Sequence, residues 1–381
     1  MQHPANHIFE HTDKSLKEWC DQRNWSHFRA EQVLDWVYKK GVADPMAMSN
    51  LKPAEREELA REMVFVSSET VAQRAATDGT QKLLLQWIDY PKGATPAPVV
   101  ASDAGGSSLP VLNNLVVALD PARQTECVMI PADERRTACI SSQVGCPVGC
   151  KFCASGLGGL DGNLTAGRIV EQVWRLSRLP GVGRITNIVF MGMGEPLSNF
   201  GPVTKAVRTL AAKWGPWISA RKITISTVGL PKAIERLADE MDLPVTLALS
   251  LHAPNDKIRR ELIPWASYTS IEDLLTACQR WFNKTGREIT LEYIMLGGVN
   301  DQAVHARELA DVARTLRANV NLIRYNEVEG LPFQRPRTDD VLKFQEVLRS
   351  RRINTHIRAS RGRDIAAACG QLRHEAGAKA G

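Results

Sequence analysis

The strongest constraint on the fold is a rhythm that sets in near Val111. Short apolar, β-branched runs stand at 137–142, 185–191, 222–227, 245–250, 289–295 and 320–325, and a last strand is expected over Ile353–Arg358. Between the later runs lie amphipathic stretches: Thr165–Leu179, Val203–Lys213, Lys232–Asp239, Ile271–Asn283 and Gln302–Ala318. Strand alternating with helix predicts an α/β fold around a parallel sheet with right-handed crossovers. Six such units are too few for a closed eight-fold barrel. The expected architecture is therefore an open, partial (β/α)6 barrel, with a doubly wound sheet as the alternative.

The flanking segments differ in kind. Residues 1–90 read as a small helical unit, with a helix over His27–Lys40 stopped by Gly41 and a second from Pro53 to about Met63. A strand pair is expected to follow, turning at Asp78-Gly79 before Lys82–Ile88. Residues 91–110, PKGATPAPVVASDAGGSSLP, are aperiodic and rich in Pro, Gly, Ala and Ser, and read as a linker or surface insertion. The expected domains are 1–90, the insertion 91–110, and a catalytic unit over 111–381.

With 44% hydrophobic and 24% charged residues, the chain is not disordered or fibrous. Its longest apolar runs, such as Val245–Leu251, are far short of the roughly 20 residues of a membrane span. No apolar export segment opens the sequence, so the cytoplasm is the expected compartment. The charge is uneven. Residues 1–90 hold 11 Lys+Arg against 14 Asp+Glu, whereas residues 141–381 hold 33 against 23. A basic surplus confined to one region suits an anionic partner, nucleic acid above all; a merely basic enzyme is the plainer reading. Within it, Lys343–Arg363 carries seven Lys+Arg and one Glu, a candidate phosphate-binding run or a solvated face.

Eight cysteines are too few for a disulfide scaffold, and three are clustered: Cys146-Pro-Val-Gly-Cys150-Lys-Phe-Cys153. Structural zinc takes four protein ligands. Ferredoxin-type clusters take four cysteines at other spacings. Three close cysteines leave one iron of a [4Fe–4S] cluster open to a chelating small molecule; a zinc site completed by a remote His or Cys is the alternative. Other candidates fall beside the ends of the expected strands: Gly194 and Glu195 in a Gly-Met-Gly-Glu-Pro turn, Ser226, Ser250-Leu251-His252 and Asn326. Ligand sites of open and barrel α/β sheets gather at that edge. Taken singly, each is equally well a strand-end cap.

CxxxCxxC with Phe152 before its last cysteine resembles the radical S-adenosylmethionine signature. The wider strings resemble the RlmN/Cfr family of RNA adenine methyltransferases: Cys139-Ile-Ser-Ser-Gln-Val-Gly-Cys146, Met191-Gly-Met-Gly-Glu195-Pro196, Ser250-Leu-His252-Ala-Pro-Asn255, Asn321-Leu-Ile-Arg-Tyr-Asn326 and Arg361-Gly362…Ala368-Cys369-Gly370. Phe28-Arg29-Ala30…Tyr38-Lys39-Lys40-Gly41 is similar to the family's accessory domain. The likeness spans most of the chain, except 91–110.

The resemblance implies a radical-SAM barrel and a [4Fe–4S] cluster on Cys146, Cys150 and Cys153. It assigns the Gly194-Glu195 turn, Ser226, Ser250, Leu251, His252 and Asn326 to S-adenosylmethionine, two molecules of which are used per turnover. It makes Cys369 a methyl carrier, Cys139 its resolving partner and Glu126 the base; the Gly/Ala-rich sequence around Cys369 reads as a mobile tail, as a carrier needs, and a solvated Glu126 and buried, inert cysteines are the plainer readings. The implied product is 2-methyladenine in 23S rRNA and tRNA, formed by a monomer that takes electrons from a flavodoxin or ferredoxin. Methylation at C8, or a non-enzymatic iron–sulfur or zinc RNA-binding protein, are the alternatives.

Overall fold

The computed structural model describes residues 1–90, 111–112, 115–116 and 119–372. The insertion read at 91–110 and the last nine residues lie outside them. Helices α1 (Asp13–Asp21), α2 (His27–Leu34) and α3 (Pro53–Glu62) come first. α2 runs on through a wider turn, Asp35–Lys40, and ends on Gly41 in the left-handed region, so the helix expected over His27–Lys40 is present. The strand pair is β1 (Ser68–Ala75) and β2 (Gln81–Trp87). Asp78 Oδ1 accepts from Thr80 N at 3.0 Å to close its turn.

After a short ladder, β3 (Val111–Leu112) and β4 (Leu115–Val116), come β5 (Gln124–Ala132), β6 (Arg135–Cys139), β7 (Gln143–Gly145) and β8 (Leu160–Asn163). The expected rhythm then unfolds as α4 (Ala166–Ser177), β9 (Asn187–Phe190), α5 (Phe200–Ala211), β10 (Ile223–Thr227), α6 (Pro231–Glu240) and β11 (Thr246–Ser250). It continues with α7 (Asp256–Leu262), α8 (Ile271–Thr285), β12 (Ile289–Met295), α9 (Ala303–Arg314), β13 (Ala318–Arg324), α10 (Thr338–Ser350) and β14 (Thr355–Arg358). One sheet orders ten strands as β1-β2-β5-β6-β9-β10-β11-β12-β13-β14. β6 and β9 to β14 run parallel, and β1, β2 and β5 extend the sheet antiparallel. The hairpin that the sequence groups with the helices is thus hydrogen-bonded into the sheet.

Parallel strands covered on both faces read as continuous apolar runs. Here they alternate. Leu83, Leu85, Cys127, Met129, Ala138, Ile188, Phe190, Ile223, Ile225, Leu247, Leu249, Leu291, Tyr293, Val320 and Leu322 belong to one core that also takes in the helices' apolar stripes. The opposite face carries Lys82, Glu126, Cys139, Ser226, Ser250, Glu292, Asn321 and Arg358 at the alternate positions. That face is concave. Arg358 Nη1 lies 3.2 Å from Met191 Sδ, beside β9. Yet β9 and β14 are five strand steps apart in the order, about 24 Å in a flat sheet. The sheet curls into a partial barrel with a polar interior.

The helical unit is anchored on α4. Buried Glu171 accepts from Ser67 N at 2.9 Å, Ser67 Oγ at 2.6 Å and Ser68 Oγ at 2.6 Å, with His7 Nε2 at 3.4 Å and Arg175 Nε at 3.2 Å. These donors hold its carboxyl well below the usual range despite its burial.

Candidate active site

The three clustered cysteines lie on the loop between β7 and β8, at the C-terminal end of the barrel. Cys146 N donates to Gly159 O at 2.8 Å and Cys153 N to Cys150 O at 3.1 Å, which fixes the loop. Around the thiols stand Val148, Phe152, Leu262, Ile263, Ile294 and Leu296. Burial pushes the Cys146 thiol up to about 12 and those of Cys150 and Cys153 upward; for Cys150 the next causes are Cys153 and Cys146 themselves. Thiols grouped in an apolar pocket give up their protons readily only to a cation that replaces them, so the donor set fits an iron–sulfur cluster. Among the described residues no three His, Cys, Asp or Glu side chains are arranged to hold a single metal ion.

The turn after β9 is built tightly. Gly194 has φ 101°, and a Cβ there would stand 2.7 Å from both Gln143 Cβ and Ser142 Oγ. Gln143 Oε1 accepts from Glu195 N at 2.8 Å. The buried Glu195 carboxyl accepts from Leu197 N at 2.9 Å and Val228 N at 2.7 Å, and so ties the turn to the end of β10. Burial pushes this carboxyl up to about 7 against those two bonds. Ser226 and Ser250 pair hydroxyl to hydroxyl at 3.1 Å on neighbouring strands. Leu251 presents only its backbone here, because its side chain is in the core behind the sheet. His252 adopts φ 57°. Its Nδ1 accepts from Ile294 N at 3.1 Å, and burial lowers its pKa to about 3, so the ring is neutral with its proton on Nε2. Phe152 stands edge-on to this ring, with centroids 5.2 Å apart. Asn326 is buried, and its Oδ1 accepts from Arg335 Nη1 at 2.9 Å.

Cys369, 230 positions after Cys139, lies close enough for its charge to bear on the Cys139 thiol. Burial first, and Cys369 second, raise the Cys139 thiol to about 12, while Arg358 opposes the rise. Cys369 also bears on Cys153, so it is near both Cys139 and the cluster loop. The described part of the tail is packed rather than loose, contrary to its Gly/Ala-rich composition. Gly370 O accepts from Ala154 N of the cluster loop at 2.8 Å, and Ile365, Ala367 and Leu372 bury against Ala76, Val128 and Cys139. Glu126 is not a solvated surface carboxylate. It stands on β5, two residues before Val128, which pairs with Cys139 on one side and with Lys82 on the other. Its Oε1 lies 2.8 Å from Lys82 Nζ, with the two side chains 8% and 5% exposed.

Two residues escaped the sequence reading. Lys82 gave no motif. Arg358 was counted in the basic run, but it points into the barrel, 3.5 Å from Glu292 and beside both cysteines. It therefore does not belong to a phosphate-binding face. Arg351 of the same run is paired with Asp311 at 3.0 Å. Cys20, Cys127 and Cys278 are buried packing residues.

A curled, mostly parallel sheet with a three-cysteine loop at its C-terminal edge defines the radical S-adenosylmethionine class. The family model of that superfamily matches residues 140–310, and one described as the ribosomal RNA large subunit methyltransferase N-terminal domain matches residues 7–65. A Rhodopirellula baltica protein named "Probable dual-specificity RNA methyltransferase RlmN" is 40% identical over 98% of this chain and 92% of its own. The Dichelobacter nodosus "Dual-specificity RNA methyltransferase RlmN" is 38% identical over 96% and 93%. The crystal structure of a radical SAM methyltransferase from Sphaerobacter thermophilus superposes with a TM-score of 0.84 at 38% identity, covering 97% of this chain and 99% of that one. The chain belongs to the RlmN family of radical SAM RNA methyltransferases.

Proposed function

We propose that this protein methylates C2 of a specific adenine in 23S rRNA and in tRNA, in two half-reactions through an S-methylcysteine at Cys369. The observation that carries the reading is the meeting of Cys139, Cys369 and the cluster loop in one polar barrel mouth, in a chain that matches RlmN proteins over nearly its whole length. Adenine C2 is too weakly nucleophilic to attack a sulfonium methyl, so the chemistry needs a radical.

Cys146, Cys150 and Cys153 would hold the [4Fe–4S] cluster, which supplies the one-electron cleavage of S-adenosylmethionine. The Gly194-Glu195 turn, Ser226, Ser250, the Leu251 backbone, His252 and Asn326 would line the binding site of S-adenosylmethionine, two molecules of which are used per turnover. Cys369 carries the methyl group to the base, Glu126 takes the C2 proton, and Cys139 forms the disulfide with Cys369 that frees the product. The target must be splayed out of its stack to be reached edge-on. The helices within residues 1–90 act as an RNA-binding accessory domain and 111–381 as the catalytic one, which the hairpin β1–β2 joins, with 91–110 inserted between them. An electron donor such as a flavodoxin or ferredoxin, a monomeric state and a cytoplasmic setting complete the proposal. Among the described residues no helix is long and apolar enough to cross a membrane.

Mass spectrometry and chromatography of digested 23S rRNA and tRNA from a deletion strain and its complemented counterpart test the reading. 2-Methyladenosine should vanish and return. A lost 8-methyl isomer, or no lost methyl group, would overturn it.

A further inference from the structure

Lys82 lies on β2, outside both family-model matches. It is a lysine on the inner wall of the barrel, buried together with its surroundings. Nζ has two partners of different kinds. One is Glu126 Oε1 at 2.8 Å. The other is the carbonyl oxygen of Ala366 at 3.0 Å, three residues before Cys369. One ammonium group therefore touches both the carboxylate and the tail that the reading above makes the base and the carrier.

An ammonium group loses hydration on burial, and ion pairing offsets this only where geometry and further hydrogen bonds are good. The two contacts meet that condition. The backbone supports the arrangement: Lys82 and Cys139 flank Val128 in register, and Glu126 shares their face of the sheet. The same hairpin holds the tail at its turn, where Asp78 Oδ2 accepts from Gly362 N at 3.1 Å and Asp364 Oδ2 from Thr77 N at 2.9 Å.

We infer that Lys82 is the positioning residue of the base: its ammonium group pairs with Glu126 inside the barrel and fixes that carboxylate beside the methyl-carrying tail. The inference rests on the roles proposed above for Glu126 and Cys369. In the step it serves, the C2–H bond of the RNA adduct breaks. The proton passes to a Glu126 oxygen, and the electron pair stays on the adenine ring. A protonated Glu126 cannot accept it. An opposite charge within about 4–6 Å typically favours a carboxylate by 1–3 pKa units. Without Lys82 the buried carboxylate loses that support and its fixed place beside the tail, and the adduct should persist at neutral pH.

The test compares reconstituted wild type, Lys82→Met, Lys82→Gln, Lys82→Arg and Glu126→Ala on a tRNA transcript that the wild type methylates. Covalent protein–RNA is read as a nuclease-sensitive band that survives denaturation, at pH 7 and pH 9, with iron content as the check on folding. Lys82→Met should show at least ten-fold more band than wild type at pH 7, falling at pH 9. Lys82→Arg should match wild type, and Glu126→Ala should hold its band at both pH values. Should Lys82→Met lose its iron, Lys82→Gln carries the same expectation, because it keeps a donor for Ala366 O without the charge. A Lys82→Met or Lys82→Gln enzyme with wild-type band levels, beside a trapping Glu126→Ala, overturns the inference alone. So does a band that ignores pH. A Glu126→Ala enzyme that traps nothing overturns the base assignment and the inference with it.

Discussion

Burial of the Glu195 carboxyl has a measurable cost whose sign is fixed by the direction of its shift. Its pKa stands at about 7 in the fold against 4.5 in the open chain. A shift of about 2.5 units corresponds to about 3 kcal/mol, an upper figure, because local opening would relieve it. The folded pKa is raised, so between pH 4.5 and 7 the folded state keeps a proton that the unfolded chain has released. Stability must fall across that window as pH rises, with a slope of up to about 1.4 kcal/mol per pH unit, and level off above it. Glu195→Gln removes the ionisation but keeps the shape. Its amide offers one acceptor where Leu197 N and Val228 N need two, so the variant loses about 1–3 kcal/mol relative to the protonated wild type, and this loss does not change with pH. The variant should be less stable than wild type at pH 5 and close to it at pH 8. Denaturant unfolding of cluster-free, reduced protein at pH 5, 6, 7 and 8, followed by circular dichroism, measures the difference. A wild-type-minus-variant stability that stays flat from pH 5 to 8 would show that Glu195 is not held in the raised state.

Any one of Cys146, Cys150 or Cys153 changed to Ala should abolish iron binding in anaerobically purified protein, and stoichiometric zinc without iron would defeat the cluster assignment. Gly194→Ala must force a Cβ to within 2.7 Å of Gln143 and Ser142 at φ 101°, which should cost about 1–3 kcal/mol in thermal unfolding and weaken S-adenosylmethionine binding; wild-type binding would release the turn from that role. Cys139→Ala should accumulate protein covalently linked to RNA, whereas Cys369→Ala and the double variant should not. An active, adduct-free Cys139→Ala enzyme would return Cys139 to the core. Asp78→Ala removes the acceptor of Gly362 N and should make Cys369 react faster with an alkylating agent in the folded protein, and an unchanged rate would show that the hairpin does not hold the tail.

The strand–helix rhythm was legible because each crossover has one apolar stripe and each strand one apolar face. The three-cysteine loop, the glycine turn and the strand-end polar residues were legible because they are local strings. α10 was overlooked although Val341, Phe344 and Leu348 keep helical spacing, because its Lys343 and Arg349 were read as the start of the charge run Lys343–Arg363. The tail was misjudged for a related reason. Alanine and glycine suggest flexibility, but small side chains also let Ile365, Ala367 and Leu372 pack close against Val128 and Cys139. Lys82, Glu126 and Arg358 could not be grouped from sequence, since only the pairing register and the curl bring β2, β5 and β14 to one space. A signal did exist. Ile-Thr-Leu-Glu-Tyr in β12, Ala-Asn-Val-Asn-Leu in β13 and Ile-Thr-Ile-Ser in β10 alternate strictly, where a parallel sheet covered on both faces would not. Polar residues at every second position of buried parallel strands mark the wall of a lined cavity.

The edges of the sheet explain why the methyl carrier is at the end of the chain. A ten-strand sheet that curls without closing leaves a gap between β1–β2 on one side and β14 on the other. The segment after β14 crosses that gap. It leaves Arg358, whose guanidinium reaches Met191 and Glu292, meets the hairpin turn through Gly362 and Asp364, passes Lys82 at Ala366, and ends against the cluster loop at Gly370. A carrier that must face first a sulfonium methyl and then an RNA base needs to be held without being built into a strand. A tail spanning the seam meets that need, because its backbone is in no strand and its apolar side chains Ile365, Ala367 and Leu372 pack in a small cluster apart from the main core, with hydrogen bonds to the hairpin turn, Lys82 and the cluster loop. The same geometry explains the inward charges. Arg358 is held by Glu292, which in turn accepts from Asn321 at 3.0 Å, and Lys82 is held by Glu126. Removing one member of such a pair leaves its partner buried and uncompensated, at a cost of about 3–5 kcal/mol. The charges that flank Cys139 and Cys369 are therefore expected to be lost in pairs or not at all.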